Sequence, residues 1–507
     1  MVYLDKRVYM QKQKNPSVQI LLLTVVFILT FCETETKPKD DDLGSLGPNQ
    51  FYAQNIITDR FYKVTADRLW EGSTCVIWAE RGSGVDTAQA QAIADKYDTV
   101  IRNLVVNAFS DKNFSILIEG EQYYFTDVLG LANWLGDGEA EKLTILLLDI
   151  KDGYVPGTSA GYVAGYFFAG NLYEKGPVRD PRGNILYYSN GRDMIYIDTY
   201  PGLNEESLEE TYSTFAHELQ HLINFYTTLF ARTDQSFYYL MDTWIDEGLS
   251  SQAEYLYLGK NVEWKCEWFV DDYAGTIARG NNFFVWGNRQ NQSVDAIYDD
   301  YATVYLFFRW LYLQSGGDTS LFRRIANSEE YNYLAVTEET GKDWETLLRR
   351  WFAANYNPAD SDYGYRGDDY LKGMIRVKTI SGSSISLYPG EGVYSAIKSN
   401  PNAAAGGPHI RYAGLTNTSS YIDTSPPYTG KVLLTYNANT RRTDGYETGF
   451  LTGVAPSPPS IARPAEDTLT RQFTRPRALD ARDVMRNGRQ LELPDGAEKK
   501  YAPRVPK

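Results

Sequence analysis

Two of the three histidines in this 507-residue chain lie four positions apart, in His217-Glu218-Leu219-Gln220-His221. Residues four apart on an α-helix sit one above the other, so the two imidazoles can converge on a single tetrahedral ion. Glu218, one position on, points beside such an ion. There its carboxylate can take a proton from water instead of entering the coordination shell. Histidine and glutamate in this pattern therefore point to hydrolysis by a metal-activated water, with Glu218 as the general base.

A catalytic zinc site takes three protein ligands and keeps one position open. The third histidine, His409, follows Gly406-Gly407-Pro408 far along the chain and reads as a surface or packing residue. The third ligand is then expected to be a carboxylate, and Trp244-Ile245-Asp246-Glu247-Gly248-Leu249-Ser250 offers Glu247. Glu254, seven residues further on a similar face, and Asp246 are the alternatives. The metal set read from the sequence is His217, His221 and Glu247, holding one Zn2+ per chain. The oxyanion formed in hydrolysis needs a further donor, and with no spare histidine nearby a tyrosine is the natural choice. Tyr301 and Tyr305, four apart on a helical pattern, are the candidates, with Tyr301 taken as the catalytic one. The chain has 40 tyrosines, so ordinary core packing is the rival reading for both.

The stretch Ser213-Thr214-Phe215-Ala216-His217-Glu218-Leu219-Gln220-His221-Leu222-Ile223-Asn224-Phe225, followed by Trp244 to Ser250, resembles the hyicolysin family of secreted bacterial neutral zinc metallopeptidases. Gly161-Tyr162-Val163-Ala164-Gly165-Tyr166-Phe167-Phe168, and Ser189-Asn190 through Tyr196-Ile197-Asp198, fit it as well. The resemblance runs from about Thr74 to Phe352. It implies a zincin fold of the glutamate-ligand kind, whose mixed sheet holds an extended peptide along its edge strand beside the active-site helix. The Trp-x-x-Glu-Gly run is also similar to that of zinc aminopeptidases, which keeps the exopeptidase alternative open.

These residues must be carried by helices and a sheet. Leu208, Phe215, Leu219, Leu222 and Ile223 give Glu205–Leu229 an apolar stripe, with Glu205, Glu206, Glu209 and Glu210 in the early turns, where the helix dipole favours anions. Tyr238–Leu258 is a second helical pattern, joined to the first by a short segment so that the two can pack antiparallel. Further helices are expected over Asp86–Phe109, opened by Asp86, and over Ala296–Gln314, Thr319–Ser328 and Trp344–Asn355. Strands are expected within Phe51–Glu80, at Leu143–Ile150, within Gly157–Gly170 and at Met194–Thr199. The order gives an α+β class: a zincin-like core with a mixed sheet and active-site helices. From about Lys372 short alternating runs (Met374–Ile380, Ser384–Leu387, Gly392–Ile397, His409–Leu415, Lys431–Tyr436) read as a C-terminal β-sandwich. The division expected is a signal peptide over 1–31, a tether over 32–50, the metallopeptidase domain over 51–370, the β-sandwich over 371–455 and a disordered tail over 456–507.

Lys6, Arg7, Lys12 and Lys14 precede the apolar run Ile20–Phe31, the order of an export signal, and Cys32 follows as in bacterial lipoprotein signals. Lipidation of Cys32, with the protein exported and anchored to a bacterial membrane at the cell surface or in the periplasm, is the expectation, with simple secretion or an uncleaved anchor as its rivals. Cys75 and Cys266 then remain, as one disulfide or two thiols. A net charge of −15 argues against nucleic acid as a partner, and no nucleotide fingerprint is present. Gly157-Thr158-Ser159-Ala160-Gly161 matches the nucleophile elbow of serine hydrolases, but Pro156 and the following glycines suit that strand-to-helix turn poorly. Arg366-Gly367-Asp368 invites an adhesion reading, but the tripeptide is common by chance and lies in an Asp/Tyr/Gly-rich stretch. The acidic stretch Asp360–Asp369 could hold a structural Ca2+, though without EF-hand spacing. The sequence thus points to a zinc endopeptidase acting on polypeptides. The alternative is a non-enzymatic surface lipoprotein, a binding or adhesion module on the same scaffold.

Overall fold

The structure, a computed structural model, describes residues 43–110, 115–118, 121–124, 142–156, 162–172, 175–180, 182–230, 240–271, 283–284, 294–359, 362–397, 406–416, 421–441 and 446–451. Six strands form the main sheet: β1 (Gln50–Asn55), β2 (Arg60–Glu71), β3 (Cys75–Glu80), β4 (Leu143–Leu148), β5 (Gly165–Phe167) and β6 (Met194–Asp198). Their spatial order is β1-β2-β3-β4-β6-β5. The pairs β3/β4 and β4/β6 are parallel and the others antiparallel, which makes the sheet mixed. β4 is buried along its whole length, and its apolar run Ile145–Leu148 reflects cover on both faces. Ile145 and Leu147 enter the core shared with the helices, while Leu146 and Leu148 enter a second cluster on the opposite face. That second face also carries a polar knot. Asn190 Nδ2 donates to Asn171 Oδ1, to the Tyr196 hydroxyl and to the Tyr52 carbonyl at 2.8–2.9 Å, tying β1 to β6.

The helical run opened by Asp86 is one helix with an interruption. Helix α1 (Thr87–Lys96) starts at an Asp86/Gln89 capping box, passes through a π-helical turn at Tyr97–Ile101 and continues as α2 (Arg102–Phe109). Behind the sheet lie α3 (Leu208–Phe230), α4 (Thr243–Leu258), α5 (Glu263–Asp271) and α6 (Val294–Gln314). Then come α7 (Ser320–Ala326), α8 (Tyr333–Thr340) and α9 (Trp344–Tyr356). The α4 start lies later than the expected Tyr238, and residues 231–239 are outside the described set. Two glycines permit the close packing around α3 and α4. A Cβ on Gly165 would stand 2.8 Å from the Tyr196 carbonyl oxygen and 3.3 Å from Thr214 Cγ2 of α3. One on Gly248 would stand 2.2 Å from the Phe308 ring of α6. Neither position accepts a side chain without moving a neighbour.

The strand expected over Met374–Ile380 is mostly irregular chain: a helix ends at Met374 and residues 375–378 are neither helix nor strand. Asp368 caps a short helix α10 (Asp369–Met374), and only β7 (Thr379–Ile380) is extended. It joins β9 (Gly392–Ala396), β12 (Val432–Asn437), β10 (Ile410–Leu415) and β11 (Ile422–Asp423) in a five-stranded sheet, while β8 (Ser384–Leu387) pairs with β13 (Glu447–Phe450). Leu387, Val393, Ile410, Tyr412 and Leu433 form one cluster there. Tyr394, Ala413, Leu434 and Tyr436 belong instead to the main core, where Phe352 of α9 packs against Tyr394 and Tyr436. Cys75 and Cys266 are both buried free thiols, so the disulfide alternative falls away.

Candidate metal centre

Helix α3 supplies His217, Glu218 and His221, and α4, packed beside it, supplies Glu247; all four side chains are buried. His217 Nε2 lies 3.3 Å and His221 Nε2 lies 3.7 Å from Glu247 Oε2. These three residues are the group of possible metal ligands that the described residues bring together. Both Nε2 atoms are buried without a hydrogen-bond partner among the described residues. Their other ring nitrogens are occupied. His217 Nδ1 meets Glu254 Oε1 at 2.5 Å and His221 Nδ1 meets Asp246 Oδ1 at 3.0 Å. A carboxylate at Nδ1 fixes the proton there and turns the Nε2 lone pair toward the shared point, as metal-ligating histidines require. The donor set therefore fits a divalent cation of the zinc type.

The two alternatives to Glu247 thus stand behind the histidines. Asp246 also accepts from Asn224 Nδ2 at 2.6 Å. Glu254 also accepts from Lys265 Nζ at 2.7 Å. Burial raises the Glu254 pKa, but the charges and hydrogen bonds of Lys265 and His217 outweigh it and hold the carboxyl below its usual value. Glu218 turns toward the sheet, where its Oε2 accepts from the backbone amide of Phe167 in β5 at 2.8 Å. Its Oε1 has no hydrogen-bond partner among the described residues. Burial is the main cause pushing Glu218 up to about 8; His217 opposes it, and Glu247 adds to it.

The tyrosine pair separates. Tyr301, on α6, donates to Glu247 Oε1 at 3.2 Å and so belongs to the site. Tyr305, one turn on, accepts from the Val262 amide at 2.8 Å and donates to Asn261 Oδ1 at 3.0 Å, away from it. Burial, then the negative charge of Glu247, raises the Tyr301 hydroxyl pKa well above its ordinary value, so it remains a proton-bearing donor. His409 meets Glu447 at 2.6 Å in the C-terminal region. Three participants went unread in the sequence. Asn224 had a signal, since it follows His221 by three on the same helix face, whereas the Phe167 amide and Lys265 had none.

Other motifs resolve differently. Asp368 of Arg366-Gly367-Asp368 accepts from Arg309 at 2.7 Å, from Asn261 at 3.0 Å and from the Leu371 amide at 3.0 Å, which is structural work within the fold. In the stretch expected to hold calcium, Asp362 pairs with Arg366 and Asp369 with Lys372, so the described carboxylates are already met by cations and the Ca2+ expectation gains no support. Cys32 and residues 157–161 lie outside the described residues.

The chain is similar to a metalloprotease. It is 28% identical over 288 residues to the neutral metalloprotease ShpI of Staphylococcus hyicus, which covers 55% of each chain. The chain thus spans about half the length of this curated relative. No protein-family model matches it. Among the described residues, no helix is long and apolar enough to cross a membrane.

Proposed function

We propose that this chain is a zinc-dependent endopeptidase with His217, His221 and Glu247 as the metal ligands. The observation that carries the reading is the convergence of two carboxylate-backed imidazoles on the Glu247 carboxylate, with Glu218 alongside. A zinc ion bound there supplies Lewis acidity, acidifying water and polarising a peptide carbonyl. The chain's own groups do the rest. Glu218 accepts the proton of the attacking water at Oε1 and passes it to the leaving amine, while the Phe167 amide holds Oε2 in place. The Tyr301 hydroxyl is the donor for the developing oxyanion. Because Phe167 belongs to β5, the edge strand of the described sheet, an extended substrate strand is read as lying along that edge, beside α3.

The similarity to a neutral metalloprotease supports hydrolysis of peptide bonds, and the zincin core agrees with a mixed sheet packed on α3. The region over 371–455 is read as an added β-sandwich, residues 1–31 as an export signal and Cys32 as a lipid anchor holding the enzyme at the bacterial surface or in the periplasm. The reading is tested by zinc content and by cleavage of an unfolded protein with and without chelator, for wild type, His221→Ala, Glu247→Ala and Glu218→Gln. One zinc per chain, lost in the first two variants and kept in the third, with chelator-sensitive cleavage in wild type alone, is the expected result. A folded wild type without zinc would overturn it. Zinc without cleavage would move the function to a surface-binding lipoprotein.

A further inference from the structure

Lys265, met so far only as a partner of Glu254, is a fully buried lysine on α5. An ammonium is costly to bury unless carboxylates and hydroxyls meet it, and here they do. Its Nζ donates to Glu254 Oε1 at 2.7 Å and to Ser251 Oγ at 2.7 Å. It also lies 5.7 Å from the ring centroids of Tyr301 and Tyr305 and 5.4 Å from that of Trp264. The Glu254 oxygen that takes Lys265 is the same Oε1 that His217 Nδ1 meets at 2.5 Å. One oxygen is thus fixed by two donors from two different helices, α5 and α3, while its own carboxylate comes from α4. On the other histidine the corresponding carboxylate oxygen, Asp246 Oδ1, is met by the uncharged amide of Asn224.

We propose that Lys265 is a positioning residue of the metal site: by anchoring Glu254 it sets the orientation and the Nδ1–H tautomer of His217, and so aims Nε2 at the point shared with His221 and Glu247. The inference rests on the zinc reading and deepens it. Glu254 has rotatable side-chain bonds, and a hydrogen bond from one imidazole alone leaves its carboxylate free to turn. The ammonium, itself held by Ser251 and flanked by aromatic rings, removes that freedom. Partners behind a ligating histidine govern metal affinity by their loss more than tenfold, so a residue one step further back is expected to act in the same range only through Glu254.

The test uses the full chain labelled with 15N-histidine; its three histidines give three ring systems to assign. In the ion-free wild type, His217 should show the Nδ1–H tautomer with a downfield ring proton. Lys265→Met should lose that signature and weaken zinc binding, measured by chelator competition, by about 10- to 100-fold. Lys265→Arg, which keeps the cation, should recover most of it. Glu254→Gln and Glu254→Gln/Lys265→Met should bind zinc equally, since Lys265 then has nothing to act through. If Lys265→Met does not fold, Ser251→Ala, which removes the hydroxyl that holds the ammonium, shows the same losses at smaller amplitude. An unchanged tautomer and affinity in Lys265→Met, or losses at 254 and 265 that add, would overturn the proposal. A folded wild type that takes up no zinc would sink the zinc reading instead, and the ion-free tautomer would still report whether Lys265 orients His217.

Discussion

The backbone amide of Phe167 donates to Glu218 Oε2 at 2.8 Å, so the edge strand of the main sheet and the helix that carries the histidines are joined through the proposed general base. An edge strand presents backbone amides that no neighbouring strand meets. Here one amide is spent on orienting a carboxylate, leaving the other oxygen, Oε1, for chemistry. Glu218→Gln keeps an oxygen to accept the Phe167 amide but cannot take a proton. It should retain the fold and the zinc and reduce kcat by about 10²- to 10⁴-fold, measured on a chromogenic peptide. A variant with more than a tenth of wild-type kcat would show that Glu218 is not the base.

The backing carboxylates are graded by what they touch. Asp246→Asn still meets His221 but no longer fixes its proton, so zinc affinity should drop by about 10- to 100-fold while the melting temperature changes little. Glu247→Gln should be worse, because it removes the charged ligand. Competition with a chelator of known affinity ranks them, and Asp246→Asn weaker than Glu247→Gln would contradict the assignment of roles.

Tyr301 donates to Glu247 Oε1 at 3.2 Å, and that geometry suits a donor that can swing to a nearby oxyanion. Tyr301→Phe should keep zinc and leave KM within a few-fold, while kcat falls by about 10²- to 10³-fold, the cost of one such donor. Equal losses for Tyr301→Phe and Tyr305→Phe would instead make both tyrosines packing residues.

The pH dependence of zinc uptake follows from Glu218. Burial pushes its pKa up to about 8 in the ion-free chain, so near neutrality the carboxyl holds a proton that an arriving dication would expel. Zinc affinity should therefore rise with pH between the ordinary carboxylate value and about 8, and Glu218→Gln should lower that slope by up to one proton. The sign for ion-free stability is opposite. The folded state holds a proton that the unfolded chain releases above its model value of 4.5, so stability is lost as pH rises from there through about 8. Melting curves of the metal-free wild type and Glu218→Gln, compared over that range, check it: parallel curves would refute the burial effect.

Much of this site was legible because a helix imposes its own geometry on spacing. His217, Glu218 and His221 share a helix whose apolar stripe ran Leu208, Phe215, Leu219, Leu222, and the continuous run of β4 announced a central strand. Glu247 was reachable because a glutamate on the next helix had to face the histidines. What stayed hidden depended on contacts between elements. Nothing along the chain distinguishes Glu254 as a partner of Nδ1 from Glu254 as a ligand; only the packing of α4 on α3 does. Helix α5 reads Glu-Trp-Lys-Cys-Glu-Trp-Phe-Val-Asp, too short for a clear period, so nothing along the chain marks Lys265 as buried. Alternation places the strands at Ser384–Leu387, Gly392–Ala396, Ile410–Leu415 and Val432–Asn437 but not those at Ile422–Asp423 and Glu447–Phe450, and only the aromatic contacts of Phe352 show that one face of their sheet joins the main core.

The buried pair Arg309–Asp368, at 2.7 Å, makes the Arg-Gly-Asp tripeptide a test of fold and not of adhesion. Removing one partner leaves the other charge buried, and Asp368→Ala should cost about 3–5 kcal/mol. Denaturant titration gives the loss, and a change near zero would return the tripeptide to the surface.

Gly248 is where helix packing and chemistry meet, since it follows Glu247 directly and lets α4 approach α6, which bears Tyr301. A methyl group there would lie 2.2 Å from the Phe308 ring, which is buried among Trp244 and Phe307 and has little room to yield. Gly248→Ala should therefore destabilise by about 1–3 kcal/mol and separate Tyr301 from Glu247. Because the strain falls between helices and not on the histidines, zinc should weaken less than kcat. Phe308→Leu added to Gly248→Ala removes the opposing ring edge and should recover part of both stability and kcat, although Phe308→Leu alone loses stability. Loss of zinc equal to the loss of kcat, or no recovery in the double variant, would place the strain somewhere other than the α4–α6 contact.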